Sequence, residues 1–255
     1  MTDGPLTLAI DVGGSGLKAT VLNPDGEMLS ERERRETPYP CTPPVLLDEL
    51  ATLAASQPDY DRVSVGYPGA IRRGVVRDVT AFVRPAPGKP KDPKLIEQWI
   101  GYDLQSALAQ RFGKPVRVAN DADVQGCAVV AGKGMELVIT LGTGVGCAVF
   151  FDGVLLPHME LSHGRFGDGM SIEVACGEFE RHKVGKHDWR ARVLNALDTF
   201  EEMVLPDHTF IGGGNAKKLD PDTIGANRTI VPNASGLLGG IKLWERSEPP
   251  VSATS

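Results

Sequence analysis

Residues 10–22 read I-D-V-G-G-S-G-L-K-A-T-V-L: an apolar strand, an aspartate, a glycine-rich turn and a second alternating strand. Glycines let a backbone turn sharply and bring its N–H groups close to an anion. Asp11 stands at the tip, where a carboxylate can hold a metal ion or a water that accompanies such an anion. A related stretch, T-L-G-T-G-V-G-C-A-V-F-F, fills 140–151. At an offset of 130 residues Gly14 and Gly16 fall on Gly144 and Gly146. Two such hairpins in two similar halves point to one phosphate chain gripped from both sides, and so to phosphoryl transfer.

The flanking sequence supports two similar halves. Strands are expected at about 6–12, 16–23 and 27–36, joined by the glycine turn and by N-P-D-G at 23–26, a three-strand meander. Residues 43–56 read as a helix with prolines at its start. A β-branched strand at 62–66 ends in G-Y-P-G at 66–69. Residues 72–94 hold seven basic and two acidic residues among several prolines and read as an irregular loop. Asp92 and Pro93 open a helix to about 112, followed by a buried strand at 115–119 and a short helix over 123–131. The second half offers a meander over 136–157, a helical stretch over 171–204 and a strand at 208–211. Gly212-Gly213-Gly214, a strand at 228–231 and a helix over 234–244 complete it. This order predicts an α/β fold of two lobes with a cleft between them, each opening with a three-strand meander. The lobes fall at 1–119, joined by the helix 234–245, and at 120–233; the tail 246–255 has no apolar period and reads as disordered.

Composition narrows the class. A hydrophobic content of 41% and a charged content of 24% are those of a soluble globular protein. A net charge of −6 argues against a nucleic-acid partner, although not against a local basic groove. Cys41, Cys127, Cys147 and Cys176 form no C-x-x-C pair, so neither a disulfide framework nor a zinc site is expected. The first residues lack a basic region followed by an apolar one, so no signal peptide is expected. The uncharged stretch 137–151 is glycine-rich and shorter than the roughly 18 residues of a membrane span. A cytoplasmic setting without a membrane partner follows as the expectation.

Candidate chemistry sits at strand ends. Asn120-Asp121 follow the strand V-R-V-A, and side chains just past the carboxyl ends of strands line ligand crevices in α/β sheets. Asp121 can accept a hydroxyl proton there; equally, N-D-A-D can be a helix cap. Glu160 and His163, three residues apart in M-E-L-S-H, can bind adjacent hydroxyls of a polyol or form an ordinary surface turn. No cysteine or carboxylate cluster at suitable spacing completes a metal site around His163. Gly212–Gly214 and Gly66-Tyr67-Pro68-Gly69 read as turns when taken singly.

In order, these segments resemble the ROK family of sugar kinases, whose lobes have the actin-like (ribonuclease H-like) ATPase fold. The resemblance runs from Ile10 to about Trp244 and is strongest to the short polyphosphate glucokinase branch. D-V-G-G-S-G-L-K resembles the first phosphate loop, L-G-T-G-V-G-C-A-V-F-F-D-G the second, and R-R-E-T-P-Y-P-C-T-P at 34–43 a doubled Thr-Pro segment. A-N-D-A-D resembles the catalytic strand end, E-L-S-H the sugar-binding E-L-G-H, and I-G-G-G-N-A-K-K the nucleotide-side turn. The resemblance implies Asp121 as general base toward the sugar 6-hydroxyl. It implies sugar contacts from Asn120, Glu160, His163, Gly69 and Glu173, with Glu178 as the alternative to Glu173. It implies phosphate or nucleotide contacts from Asp11, Gly13, Gly14, Ser15, Gly16, Lys18, Gly142, Thr143, Gly144, Gly212, Gly213 and Gly214, with Asp11 orienting magnesium through phosphates or water. Cys176 alone stands where many ROK kinases carry a cysteine-rich zinc segment, so no zinc is expected. Ser162 replaces the glycine of E-L-G-H and is expected to crowd that turn slightly.

The expected function is a glucokinase that transfers a phosphoryl group from polyphosphate, ATP or both to the 6-hydroxyl of glucose. Arg72, Arg73, Arg77, Arg84, Lys89, Lys91 and Lys94 offer a basic track for polyphosphate; H-K-V-G-K-H at 182–187 offers another. Either run alone also reads as a solvated face. The alternatives are an ATP-dependent ROK kinase for another hexose, a catalytically silent sugar-binding regulator, and an actin-like ATPase acting on no sugar. With the phosphate loop starting at residue 10, no DNA-binding domain is expected ahead of it. The resemblance also implies a homodimer.

Overall fold

β1 (Thr7–Val12, T-L-A-I-D-V) is buried along nearly its whole length, the pattern of a strand covered on both faces. It pairs antiparallel with β2 (Leu17–Leu22), Val12 opposite Leu17, and β2 pairs with β3 (Glu33–Arg35). β3 is far shorter than the expected 27–36. That stretch is mostly charged, Met28 and Leu29 are exposed, and only a single bridge from Leu22 to Met28 precedes it. α1 (Pro43–Ala55) starts on a proline and buries Leu46, Leu50 and Leu53, one face of the helix. β4 (Arg62–Tyr67) then lies parallel to β1.

The expected irregular loop contains a small hairpin, β5 (Ile71–Arg72) with β6 (Val75–Val76). The single helix expected to follow is two, α2 (Pro93–Trp99) and α3 (Leu104–Phe112), parted at Gly101. The side chain of Asp92 caps one and that of Asp103 the other. β7 (Val116–Asn120) lies parallel to β4 and completes the sheet in the order β3-β2-β1-β4-β7. α4 (Asp121–Val129) follows without a break, starting two residues earlier than expected. Tyr67, Phe82 and Trp99 pack as a buried aromatic group under the end of β4, with ring centroids 5.0–5.9 Å apart.

A second sheet repeats that order as β10-β9-β8-β13-β14. β8 (Met135–Leu141), β9 (Val145–Phe151) and β10 (Val154–Leu155) form the antiparallel meander. A two-stranded pair follows, β11 (Arg165–Gly167) with β12 (Met170–Ser171). The expected helical stretch divides at Gly177 and Gly185 into α5 (Ile172–Cys176), α6 (Glu178–Val184) and α7 (Lys186–Val204). Trp189, Val193, Ala196, Leu197 and Phe200 form the buried face of α7. β13 (His208–Gly212) is parallel to β8, and β14 (Arg228–Ile230) parallel to β13.

α8 (Ser235–Arg246) returns to the first sheet. Ser64 Oγ donates to the Gly240 carbonyl, and Trp244 lies under the guanidinium groups of both Arg62 and Arg117.

This computed structural model describes residues 4–79, 82–232 and 235–246. Of the tail expected to be disordered, only Arg246 is among them, and Ala234 of the expected last helix is not. The chain forms two compact units, one through Ala128 together with the residues from Gly236 onward, the other Val129–Ser235. The expected boundary at 119/120 falls just before α4, most of which groups with the first unit. The fold is thus mixed α/β with two five-stranded sheets of one order. Among the described residues no helix is long and apolar enough to cross a membrane.

Candidate active site

In the first unit the parallel strands β1, β4 and β7 end at one edge of the sheet, and the register sets Asp11 beside Gly66 and Tyr67 beside Asn120. Asp11, the G-Y-P-G loop and Asn120-Asp121 therefore share the carboxyl edge, the usual ligand edge of such a sheet. Asn120 is buried and tied on both sides: its amide nitrogen donates to the Gly69 carbonyl at 3.1 Å, and its oxygen accepts the Ala122 N–H at 2.8 Å. Gly69 lies so close to the main chain of Asp78 that a Cβ would strike its carbonyl. Asp121 is exposed at the first position of α4, and its Oδ1 also accepts the Ala122 N–H at 2.8 Å. Asn120, the residue before the helix, is thus its cap, and Asp121, the candidate base, is the first helical residue beside it.

The first glycine turn is held from one side. Thr37 Oγ1 donates to the Gly13 carbonyl and Tyr39 Oη to the Gly14 carbonyl, both at 2.6 Å, while Arg34 Nη2 donates to the Ser15 carbonyl at 3.2 Å. Three successive carbonyls are engaged by one neighbouring segment. Among the described residues nothing hydrogen-bonds the Gly14 and Ser15 N–H groups, which leaves them open to an anion. Asp11 lies opposite Lys18, whose Nζ is 2.9 Å from Asp11 Oδ2. Sequence reasoning quoted the 34–43 segment but missed the roles of Arg34, Thr37 and Tyr39; a run of hydroxyl and guanidinium donors after a phosphate-type turn was the available signal.

The second turn, in the second unit, is one residue shorter. Residues 13–16 lie between the pair Val12–Leu17, but only 142–144 between Leu141 and Val145. The offset of 130 is accordingly corrected: Gly146 lies inside β9 opposite Thr140, and Gly144 takes the position before the strand that Gly16 takes in the first turn. This turn is braced largely by main chain. The Glu178 N–H donates to the Thr143 carbonyl at 3.0 Å, the Asn215 N–H to Leu141 at 2.9 Å, and the Asn215 amide to Gly142 at 3.0 Å. Of Gly212–Gly214, which end β13 and turn back, Gly213 alone has a positive φ, +85°, and a side chain there would strike the Leu141 backbone. Asn215, unassigned from the sequence, is the residue that joins the two segments.

Glu160, His163 and Glu173 come together in this same unit. His163 Nε2 lies 3.7 Å from Glu160 Oε2 and 3.5 Å from Glu173 Oε2, and the Glu173 side chain packs over Gly144. Glu178 is committed elsewhere, to Arg181, Asn215 and His182, and these hydrogen bonds, Arg181 first, hold its carboxyl down at about 2. Burial works against ionising Glu160, but the neighbouring imidazoles of His158 and His163 outweigh it and keep its pKa low. His158, missed in the sequence, places Nε2 3.2 Å from Glu160 Oε1. Ser162 is buried in an ordinary 3₁₀ turn, Leu161–His163, without a positive φ, so the backbone there does not need glycine.

The two basic runs differ. Among the described residues Arg73, Arg77, Lys89, Lys91 and Lys94 make no ion pair, and Arg84 donates to the Lys89 carbonyl. In the 182–187 run His182 pairs with Glu178, Lys183 with Glu180 and His187 with Asp188. All four cysteines are buried, and burial pushes Cys41, Cys127 and Cys176 up to about 12.

Two sheets of one order, each with a glycine turn at its first hairpin and one with a strand-end aspartate, define the class of two-lobed actin-like phosphotransfer folds. The sequence model of the ROK family matches residues 7–179, and the chain belongs to that family. It is similar to the polyphosphate glucokinase of Mycobacterium tuberculosis (strain ATCC 25618 / H37Rv), 31% identical over 245 residues that cover 90% of this chain and 88% of the relative. It is equally similar to the solved inorganic polyphosphate/ATP-glucomannokinase of Arthrobacter sp. strain KM: 31% identity, TM-score 0.75, 94% of this chain and 97% of that one. A ROK family glucokinase from Streptomyces griseus, solved with glucose and AMPPNP, shares the fold at 18% identity and a TM-score of 0.68, over 93% and 98% of the two chains.

Proposed function

We propose that this protein is a glucokinase that takes its phosphoryl group from polyphosphate, ATP or both, with Asp121 as the general base. The observation that carries the reading is Asp121 itself: an exposed carboxylate on a fixed strand end, oriented by the Ala122 N–H, at the sheet edge shared with Asp11 and the first glycine turn. In this reading Asp121 takes the proton of the sugar 6-hydroxyl as its oxygen bonds to the terminal phosphorus of the donor and the bridging P–O bond breaks. Positioning and charge stabilisation dominate such transfers, so the chain's work is alignment. Glu160, His163 and Glu173 hold the sugar, while Asn120 shapes the loop at Gly69. Each glycine turn is a candidate seat for donor phosphates.

Magnesium fits the residues present. Asp11 is a half-exposed oxygen donor, paired with Lys18, that would hold the ion or its waters. When bound, magnesium supplies charge neutralisation on the donor phosphates.

Arg73, Arg77, Lys89, Lys91 and Lys94, which make no ion pair among the described residues, support that segment, rather than the 182–187 run whose Lys183 is paired with Glu180, as the polyphosphate track. The test is a panel of glucose, mannose, fructose and amino sugars against ATP and against polyphosphate, read as sugar 6-phosphate. Glucose turnover with polyphosphate is expected. Turnover with ATP alone corrects the donor, and no turnover with any hexose overturns the reading.

A further inference from the structure

His158 is the most buried side chain of its cluster, 2% exposed against 26% for Glu160, 42% for His163 and 39% for Glu173. Its imidazole reaches Oε1 of Glu160, while Oε2 of the same carboxylate faces His163. The main chain of this turn is closed independently, by the His163 N–H donating to the Glu160 carbonyl at 3.1 Å. That bond fixes the backbone and leaves the long Glu160 side chain to be fixed by something else. Glutamate is among the side chains with the most rotamer freedom to lose, so an unrestrained Glu160 binds a ligand poorly.

We propose that His158 is a positioning residue: it holds one oxygen of Glu160 so that the other is presented to the sugar, and it thereby sets hexose affinity without touching the hexose. The proposal rests on the sugar-kinase reading of this site. A donor on Nε2 is required, since an ionised carboxylate only accepts. A group that aligns Glu160 equally in the bound and transition states changes KM and leaves kcat alone. A merely structural His158 would do the reverse, lowering the active fraction, and so apparent kcat, at unchanged KM.

The experiment is steady-state kinetics at saturating donor, with melting curves, on wild type, His158→Leu, His158→Gln, His158→Asn, Glu160→Gln and the double variant His158→Leu/Glu160→Gln. Loss of this 3.2 Å contact with a charged group predicts a hexose KM raised about ten- to a hundredfold in His158→Leu, with kcat nearly unchanged. Gln, whose amide reaches as far as Nε2, retains most of the affinity; Asn, one methylene shorter, does not. The double variant is no worse than Glu160→Gln, because both act through one carboxylate. If His158→Leu fails to fold, the Gln–Asn contrast decides. An active wild type with Gln and Asn alike in KM, or with additive losses in the double variant, overturns the inference alone. A wild type inert toward every hexose overturns the sugar-kinase reading beneath it.

Discussion

The two glycine turns occupy the same place in two sheets of the same order, yet they are built differently. The first has four residues, side-chain donors on three carbonyls, and an Asp11–Lys18 pair across the strands that lead into it. The second has three residues, is braced by main-chain N–H groups and one amide, and sets Thr140 opposite Gly146 at the corresponding rung. One topology therefore carries two differently built turns. The charged rung, Asp11 with Lys18, belongs to the first; the second has Thr140 and Gly146 there, with the Glu173 side chain packed over Gly144.

The difference can be broken at several points. The largest effect is expected at Gly213, where alanine must adopt φ near +85° against the Leu141 backbone. Gly213→Ala should cost about 3 kcal/mol in urea unfolding, while Gly214→Ala, with open space around it, should stay within about 0.5 kcal/mol. Equal costs would mean that the triplet is not seated as described.

Next are the braces. Asn215→Ala removes the amide from the Gly142 carbonyl and should cost about 1–3 kcal/mol, against about 1 kcal/mol for Thr37→Val at the Gly13 carbonyl. If, as the resemblance implies, Gly212–Gly214 lie on the nucleotide side, Asn215→Ala should raise the KM for ATP more than that for polyphosphate, and Thr37→Val should raise both alike. Donor titrations of the two variants check this.

The smallest effect is in pH. Glu178 is held near 2 by its bonds to Arg181 and Asn215, below the ordinary 4.5. A depressed carboxylate contributes stability above its unfolded value, which is lost as the pH falls through the folded one. Wild-type melting temperature should therefore fall more steeply than that of Glu178→Gln between pH 4.5 and about 2. Parallel curves would separate Glu178 from the second turn.

Much of this was legible because local signals agreed. The apolar strand–turn–strand at 7–22, the leucine spacing of α1 and the strand feeding Asn120-Asp121 each specify their element from within. What was not legible depends on residues distant in sequence or on very short elements. Two-residue strands such as β5 and β6 carry no period, and the helix breaks at Gly101, Gly177 and Gly185 lie in otherwise helical composition. The one-residue difference between the turns appears only in strand register, since glycines align at an offset of 130 whether or not they pair alike. The Asn215 brace and the Tyr39 hydroxyl act across 73 and 25 residues, beyond any local reading.

Kinetics and glucose binding of Asp121→Asn test the central claim most directly. The amide oxygen can still accept the Ala122 N–H and the Asn120 cap is untouched, so the fold and glucose-dependent thermal protection should persist. Turnover should fall at least about a hundredfold, the lower bound of general-base help. Turnover close to wild type, with binding intact, would remove Asp121 from the chemistry and contradict the account.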